Sequence, residues 1–454
     1  MLIGVEAKNF KCFGEAGISL NLAPLTILVG PNGAGKSSVL DAIGLLAQSA
    51  PTGLGKNTFK WQGSYVDLGS DGRFAFNRAN PGVRMRLGLS FSDGDALRRW
   101  QREQDFLPEV PFDVSNFAYN VEHSSRTDEW LHEIVTDGSL AAVNESRQLI
   151  QAFGAAVQEM TLRYPTIRGL DKVTYNPQVG VDALLNPFLF SGQPRTSIDE
   201  TSAARVNKLQ QELSRLLAYV VHALRNRVFI VGADRAPSES EPKRGEGPLR
   251  VGKHGEYTFA VLSILFASPE SRSQANRVRH WAGVFGMESL QAGWVGEVLL
   301  RAGYCDSGSQ TPLPVNLAGF GSRQILSVIA QLFCAPADSL IMIEEPEISL
   351  HPGAQIDLVR MFAEAIASGQ QVLVTTHSQT LLLALSHAAK ESAMKLDDVA
   401  VYHFSREREE VKATRLELDS SWHIRGWVPS FSDVESRLIR EWIVNVRDKI
   451  KPED

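Results

Sequence analysis

The chain has 454 residues, 43% apolar and 22% charged, with a net charge of −6. That length suits two or three domains at roughly 100–200 residues each, and the composition is that of an ordinary soluble globular protein. Three cysteines far apart (Cys12, Cys305, Cys334), a charge within the first residues and the lack of any run near 18 apolar residues argue against a disulfide framework, a zinc site, a signal peptide and a membrane span; the cytoplasm is the expected location. The net charge gives no global attraction to nucleic acid, and a local basic patch stays open.

In chain order, residues 2–9 read as a strand, Ile18–Leu22 as a second with alternation, and Leu25–Val29 as a short apolar run of the buried type. A helix is expected from Ser37 to about Leu46, then strands around Val83–Phe91. The period turns helical around 139–160 and 202–225, where Val206, Leu209, Leu213, Leu216, Leu217, Val220 and Leu224 form one apolar stripe. Val228–Val231 is a strand and Pro237–Gly247 a polar loop. From about 314 to 385 strand and helix alternate, with Ser339–Ile343 and Gln371–Thr375 as apolar strands, which predicts a parallel sheet covered on both faces.

Leu25–Val29 runs into Gly30-Pro31-Asn32-Gly33-Ala34-Gly35-Lys36-Ser37-Ser38, and a helix follows. Strand, glycine loop and helix together make GxxxxGK[ST] a phosphate cradle: backbone N–H groups and the helix dipole face the anion. Lys36 is then expected on the β- and γ-phosphates of ATP, and the Ser37 hydroxyl on Mg²⁺. The strand Leu340–Ile343 ends in Glu344 and Glu345, at the strand end where ligands bind in open parallel sheets. Glu344 is expected to hold Mg²⁺ and Glu345 to act as general base on the attacking water. The competing reading is a solvated acidic loop. His377, just after Gln371–Thr375, is the candidate γ-phosphate sensor; its plainer reading is a neighbour of a helix cap at Ser378. Gly319, Gly321 and Ser322, within Asn316–Gln324, open another helix and read either as a tight turn or as an anion contact.

The set resembles the ATPase heads of the ABC superclass, in the branch holding SMC, RecF and overcoming-lysogenisation-defect (OLD) proteins. The resemblance rests on Asn9-Phe10-Lys11-Cys12-Phe13, the phosphate loop, Glu344-Glu345-Pro346-Glu347-Ile348-Ser349-Leu350-His351-Pro352, Thr375–Ser378 and Gly319–Gln324. Tyr65–Arg78 and the stretch from Arg235 through Gly252–Glu256 resemble OLD segments less specifically. What it implies is an α/β fold: an ABC-type P-loop ATPase head with a mixed, largely parallel sheet, split by a large α-rich insertion. The expected layout is 1–95 and 227–401 for the head, 96–226 for the insertion and 402–454 for a tail. The resemblance also implies a head-to-head homodimer or higher oligomer with ATP sandwiched between one phosphate loop and the partner's signature. LSGGQ itself is missing, and Gln62 is only a candidate for the Q-loop glutamine.

OLD nucleases carry a further metal-dependent domain whose acidic pattern is not seen here. The chain therefore resembles stand-alone ATPase subunits of anti-phage systems such as Septu and PARIS, which implies a separate nuclease or toxin effector. Alternatives are a RecF/SMC-like DNA-repair ATPase that clamps DNA through basic residues such as Arg84, Arg86, Arg98, Arg99 and Arg102, and an ATP-binding scaffold with negligible turnover. A transporter subunit fits poorly. Trp422, Trp427, Val428, Phe431 and Trp442 either dock a partner or, preferred, pack on the ATPase core.

Overall fold

The computed structural model describes residues 1–50, 60–69, 84–92, 116–124, 129–136, 172–175, 219–237, 249–295, 299–306, 308, 311–407 and 410–425. The chain starts with β1 (Leu2–Lys8), β2 (Ile18–Asn21), β3 (Leu25–Val29) and helix α1 (Lys36–Ser49). Strands β4 (Arg84–Ser92), β5 (Asn116–Ser124), β6 (Glu129–Thr136), β7 (Lys172–Tyr175) and β8 (Val228–Val231) follow. Next come α2 (Thr258–Ala267), α3 (Arg272–Val284), β9 (Glu288–Val295), β10 (Leu299–Cys305), β11 (Pro312–Pro314) and α4 (Phe320–Cys334). The last are β12 (Leu340–Glu344), α5 (Pro352–Ala367), β13 (Gln371–Thr376), α6 (Gln379–Glu391), β14 (Val399–Glu407) and β15 (Glu410–Leu416).

The central sheet has the order β15-β14-β3-β13-β12-β8, parallel except for the antiparallel edge strand β15. A second sheet, β2-β1-β4-β5-β6-β7, is antiparallel throughout, and β9–β11 form a small third one.

Side-chain alternation divides the interior into two cores, one on each face of the central sheet. Leu340, Met342, Leu373, Ala400, Tyr402 and Phe404 face the core shared with α1 and the antiparallel sheet. Their neighbours Ile341, Ile343, Val372, Val374, Val399 and Val401 face the core built with α2–α6. Helix α1 thus lies in a layer between two sheets. That explains why most of it is buried, Val39, Leu40, Ile43, Leu45 and Leu46 among them, instead of only one stripe.

Within 96–226 the described residues are β5, β6, β7 and a helical stretch at 219–226; these strands extend the antiparallel sheet, and the rest of the expected α-rich insertion lies outside the described residues. Residues 139–160 lie outside the described residues. The expected head–tail boundary at 401/402 falls inside β14, whose register with β3 runs from Val399↔Leu25 to His403↔Val29. Residues up to Leu416 therefore complete the central sheet. Trp422 packs against the helical-side core, whereas Trp427, Val428, Phe431 and Trp442 lie outside the described residues. Among the described residues no helix is long and apolar enough to cross a membrane.

Candidate functional site: a phosphate loop beside an acidic turn

Strands β3, β13 and β12 are adjacent and parallel, so the residues after their carboxyl ends gather at one edge of the sheet. The loop Gly30–Gly35 follows β3, His377 follows β13, and Glu344 ends β12 with Glu345 next.

Two glycines of the phosphate loop are fixed by sterics. A Cβ on Gly30 (φ +151°) would sit 2.3 Å from the Phe404 carbonyl oxygen of β14. One on Gly35 (φ +99°) would sit 2.9 Å from Cys12 Sγ. The tight turn after β1 that holds Asn9–Phe13 is thus packed against the loop. It is pinned there by a Lys11–Asp41 ion pair and by the Cys12 thiol, which donates to Ser38 Oγ at 3.3 Å. Ser38 is buried by this contact, while Ser37 is exposed. Pro31, Asn32 and Gly33 are exposed and Ala34 is buried. Helix α1 has no side-chain cap and no acidic residue in its first turn, so its terminal N–H groups and dipole remain available to an anion.

Lys36 Nζ donates to the carbonyls of Gly30 (2.9 Å) and Pro31 (3.1 Å) and lies 2.9 Å from His377 Nε2. The same Nε2 lies 3.1 Å from Glu345 Oε1. One ring nitrogen cannot accept from an ammonium and donate to a carboxylate at once. Nε2 therefore bonds either Lys36, with the proton on Nδ1, or Glu345, with the proton on Nε2, according to the tautomer. Burial and then the Lys36 charge hold the imidazole below its ordinary value, against the pull of Glu347. Burial likewise lowers Lys36, with Glu345 and Glu347 opposing. Burial raises the Glu345 carboxyl; Lys36 and Arg235 oppose that shift and Glu344 adds to it. A carboxylate with reduced preference for its charged form, next to an imidazole held toward its neutral form and a lysine, has the chemistry of a general base.

Glu345 adopts φ +43°, and its N–H donates to the Thr375 carbonyl at 2.9 Å, which ties the acidic turn to β13. Glu347, 9% exposed, accepts from Thr376 Oγ1 (2.6 Å) and from the His377 N–H (3.0 Å) through Oε1. The third acid of the run thus sets the position of His377. Ser378 caps α6 through its Oγ, as the plainer reading of that neighbourhood expects, and His377 still faces Lys36. The residues fit Mg²⁺: the exposed Ser37 hydroxyl and the Glu344 carboxylate at the strand end are hard oxygen donors, and Mg²⁺ takes few of these when phosphates supply the rest. That ion would neutralise phosphate charge.

The structure does not bring every candidate together. Gly319, Gly321 and Ser322 make no hydrogen bond to the phosphate loop or to the side chains of the acidic pair within this subunit. Ser322 Oγ donates to the Phe285 carbonyl at 3.4 Å. Gly321 has a packing reason to be glycine, because a Cβ there would sit 2.4 Å from the Ser349 carbonyl, while Gly319 faces open space. Gln62 is exposed and donates to Asp67 Oδ1 at 3.1 Å, with no tie to the phosphate loop. The glutamine that links segment 60–68 to the phosphate-loop helix is Gln48. Its Oε1 accepts from the Val66 N–H (3.0 Å) and the Tyr65 N–H (3.2 Å). Arg84 and Arg86 pair with Glu122, and Arg98, Arg99 and Arg102 lie outside the described residues.

Arg235 and Glu347 received no role from the sequence. The signal for Glu347 is the third acid in Glu344–Glu347; Arg235 stands four residues past β8, with nothing local to show that it is buried.

The family model described as "AAA domain, putative AbiEii toxin, Type IV TA system" matches residues 25–384. The chain belongs to this family. A stretch of 46 residues is 52% identical to the OLD nuclease of Thermus scotoductus (strain ATCC 700910 / SA-01). That stretch covers 10% of this chain and 8% of the nuclease, so the chain matches only a small fraction of that protein's length. Solved structures similar to the chain include an SMC head bound to the C-terminal winged-helix domain of ScpA, at 12% identity and TM-score 0.45, covering 92% of this chain and 98% of that one. Another is the SMC head domain from Thermotoga maritima, at 11% identity and TM-score 0.40, covering 92% and 99%. Likenesses this remote carry no functional inference. The matched span takes in the phosphate loop, the acidic turn and His377, and the motifs around Lys36 and Glu345 resemble those of OLD-like ATPases of the ABC superclass.

Proposed function

We propose that the chain is a Mg²⁺-dependent ATP hydrolase acting as the nucleotide-controlled sensor or scaffold subunit of a bacterial anti-phage defence complex. The observation that carries the enzymatic part is the Lys36–His377–Glu345 cluster at the ends of β3, β13 and β12. Lys36, with the free N–H groups of α1, binds the phosphates. Ser37 and Glu344 hold Mg²⁺. Glu345 takes a proton from the attacking water, and His377 senses the γ-phosphate.

The regulatory part is supported by the family description, which names a toxin, and by the local identity to an OLD nuclease. The exposed Leu317 and Phe320 beside Gly319–Ser322 give a second copy an apolar surface near a helix N-terminus, which fits a head-to-head dimer. A separate nuclease or toxin is the effector whose state the nucleotide controls.

The test is to purify the chain from its native host, measure phosphate release from ATP with and without Mg²⁺, and identify what co-elutes. Mg²⁺-dependent hydrolysis and a stoichiometric nuclease or toxin are expected. Tight DNA binding by the chain alone, with no co-eluting protein, sinks the defence reading, and absence of hydrolysis sinks the enzymatic one.

A further inference from the structure

Arg235 is fully buried, and among the described residues no carboxylate is bonded to it. Its Nε donates to the Gln324 carbonyl at 3.1 Å. Nη1 donates to the carbonyls of Gly232 and Glu344, both at 2.8 Å. Nη2 donates to the carbonyls of Glu345 (3.1 Å) and Pro346 (3.2 Å). A guanidinium has five N–H donors in a rigid plane, and here each of them finds a main-chain carbonyl. Three of the acceptors are consecutive residues of the acidic turn, one lies just after β8 and one at the start of the second turn of α4.

Burying a cation without a bonded counter-ion is costly, and burial pulls Arg235 down to about 10, offset in part by Glu347, Glu344 and Glu345. A plain backbone contact would not need this charge. What the fork holds is a turn that its own sequence disfavours. Glu345 sits in the left-handed region at φ +43° and precedes a proline, which narrows its backbone choices further. Such a conformation persists only where its surroundings over-determine it.

We infer that Arg235 is a positioning residue for hydrolysis: by clamping three successive carbonyls, it keeps the Glu345 carboxylate beside His377 and Lys36, and it locks that turn to α4 at Gln324. This rests on reading the site as hydrolytic. Arg235 is fully buried with its donors on main-chain carbonyls, so its effect falls on turnover and leaves affinity to the phosphate loop on β3 and α1. The link to Gln324 further implies that movement at the start of α4, where Gly321 packs on Ser349, reaches Glu345 through a rigid side chain.

The test uses the full chain and measures kcat, KM and the affinity for a non-hydrolysable ATP analogue. A lysine offers three donors on a flexible stem and cannot hold five carbonyls in a plane. Arg235→Lys is expected to lower kcat about 100-fold, the scale of a 1 Å misplacement, and to keep analogue affinity within about threefold. Combined with Glu345→Gln, it is expected to add no further loss, because the group it positions is already gone. A purely structural role would lower affinity and turnover together and would add to Glu345→Gln; that result overturns the inference. If Arg235→Lys does not fold, Pro346→Gly keeps the guanidinium and frees the turn from the other side. It is expected to lower kcat with affinity retained, and unchanged turnover overturns the inference. An unaltered chain that binds the analogue and hydrolyses nothing refutes the hydrolytic reading itself, a result distinct from hydrolysis that survives Arg235→Lys.

Discussion

Replacing Glu347 by alanine is the sharpest test of how the site is held together. The carboxylate accepts a 2.6 Å bond from the Thr376 hydroxyl and a 3.0 Å bond from the His377 N–H, and it is the largest electrostatic support of the buried Arg235. Each hydrogen bond to a charged group contributes about 1.5–3 kcal/mol. Removing one member of a buried charge system costs about 3–5 kcal/mol, because the charge left behind loses its compensation. These contributions share atoms and do not add, so about 4 kcal/mol is expected for Glu347→Ala. At roughly 2–4 °C per kcal/mol for a domain of this size, the nucleotide-free protein should lose about 8–16 °C in Tm. Glu347→Gln keeps an acceptor at Oε1 but loses the charge and puts an amide N–H where Oε2 has no partner, so it should fall between the two. Scanning calorimetry on the three proteins at one concentration reads the difference. A Glu347→Ala loss under about 1 kcal/mol would refute the claim that this carboxylate organises the turn.

Three further outcomes are expected. Lys36→Ala abolishes binding of an ATP analogue, whereas Glu345→Gln binds it and loses about 10²–10⁴-fold in turnover; normal turnover by the glutamine variant removes Glu345 as the base. Gly30→Ala forces a Cβ to within 2.3 Å of the Phe404 carbonyl and should cost about 1–3 kcal/mol together with nucleotide binding; circular-dichroism melts and analogue titration check it, and wild-type values in both refute the steric argument. Burial raises the Glu345 carboxyl above 4.5, and a base works only when deprotonated, so turnover should fall as pH drops through a midpoint above that value. Because His377 is shifted down from 6.5, its protonation comes at lower pH than for an ordinary histidine. A pH–rate profile with its acid midpoint below 4.5 would exclude Glu345 as the titrating group.

What the sequence by itself determined is local. The strand Leu25–Val29, the glycine loop and the helix beyond it are contiguous, and their chemistry is set by spacing along the chain: Gly30 and Gly35 where a Cβ cannot fit, Lys36 and Ser37 at the first turn of α1. Val228–Val231 and the strands ending at Glu344 and Thr376 were equally legible, because buried parallel strands read as short apolar runs. The strands β5–β7 were not: β5 and β6 are close in the chain, but the sheet they join is completed by β4 and β7, which lie farther off along it. The place of β14 beside β3 was likewise hidden, though it carries the carbonyl that fixes Gly30.

Only the tertiary structure decided which side chains meet. Lys36 and His377 are 341 positions apart, and Arg235 reaches Glu344 and Gln324 across 109 and 89. No periodicity encodes such contacts. The fold also left Gln62, the sequence candidate, on the surface and placed Gln48, which the sequence did not single out, under segment 60–68. It gave Gly321 a steric role that a motif match cannot show. The physical reason is common to these cases: a phosphate loop is an arrangement of consecutive peptide groups, whereas a catalytic turn is held by donors and charges that come together only when strands stack side by side.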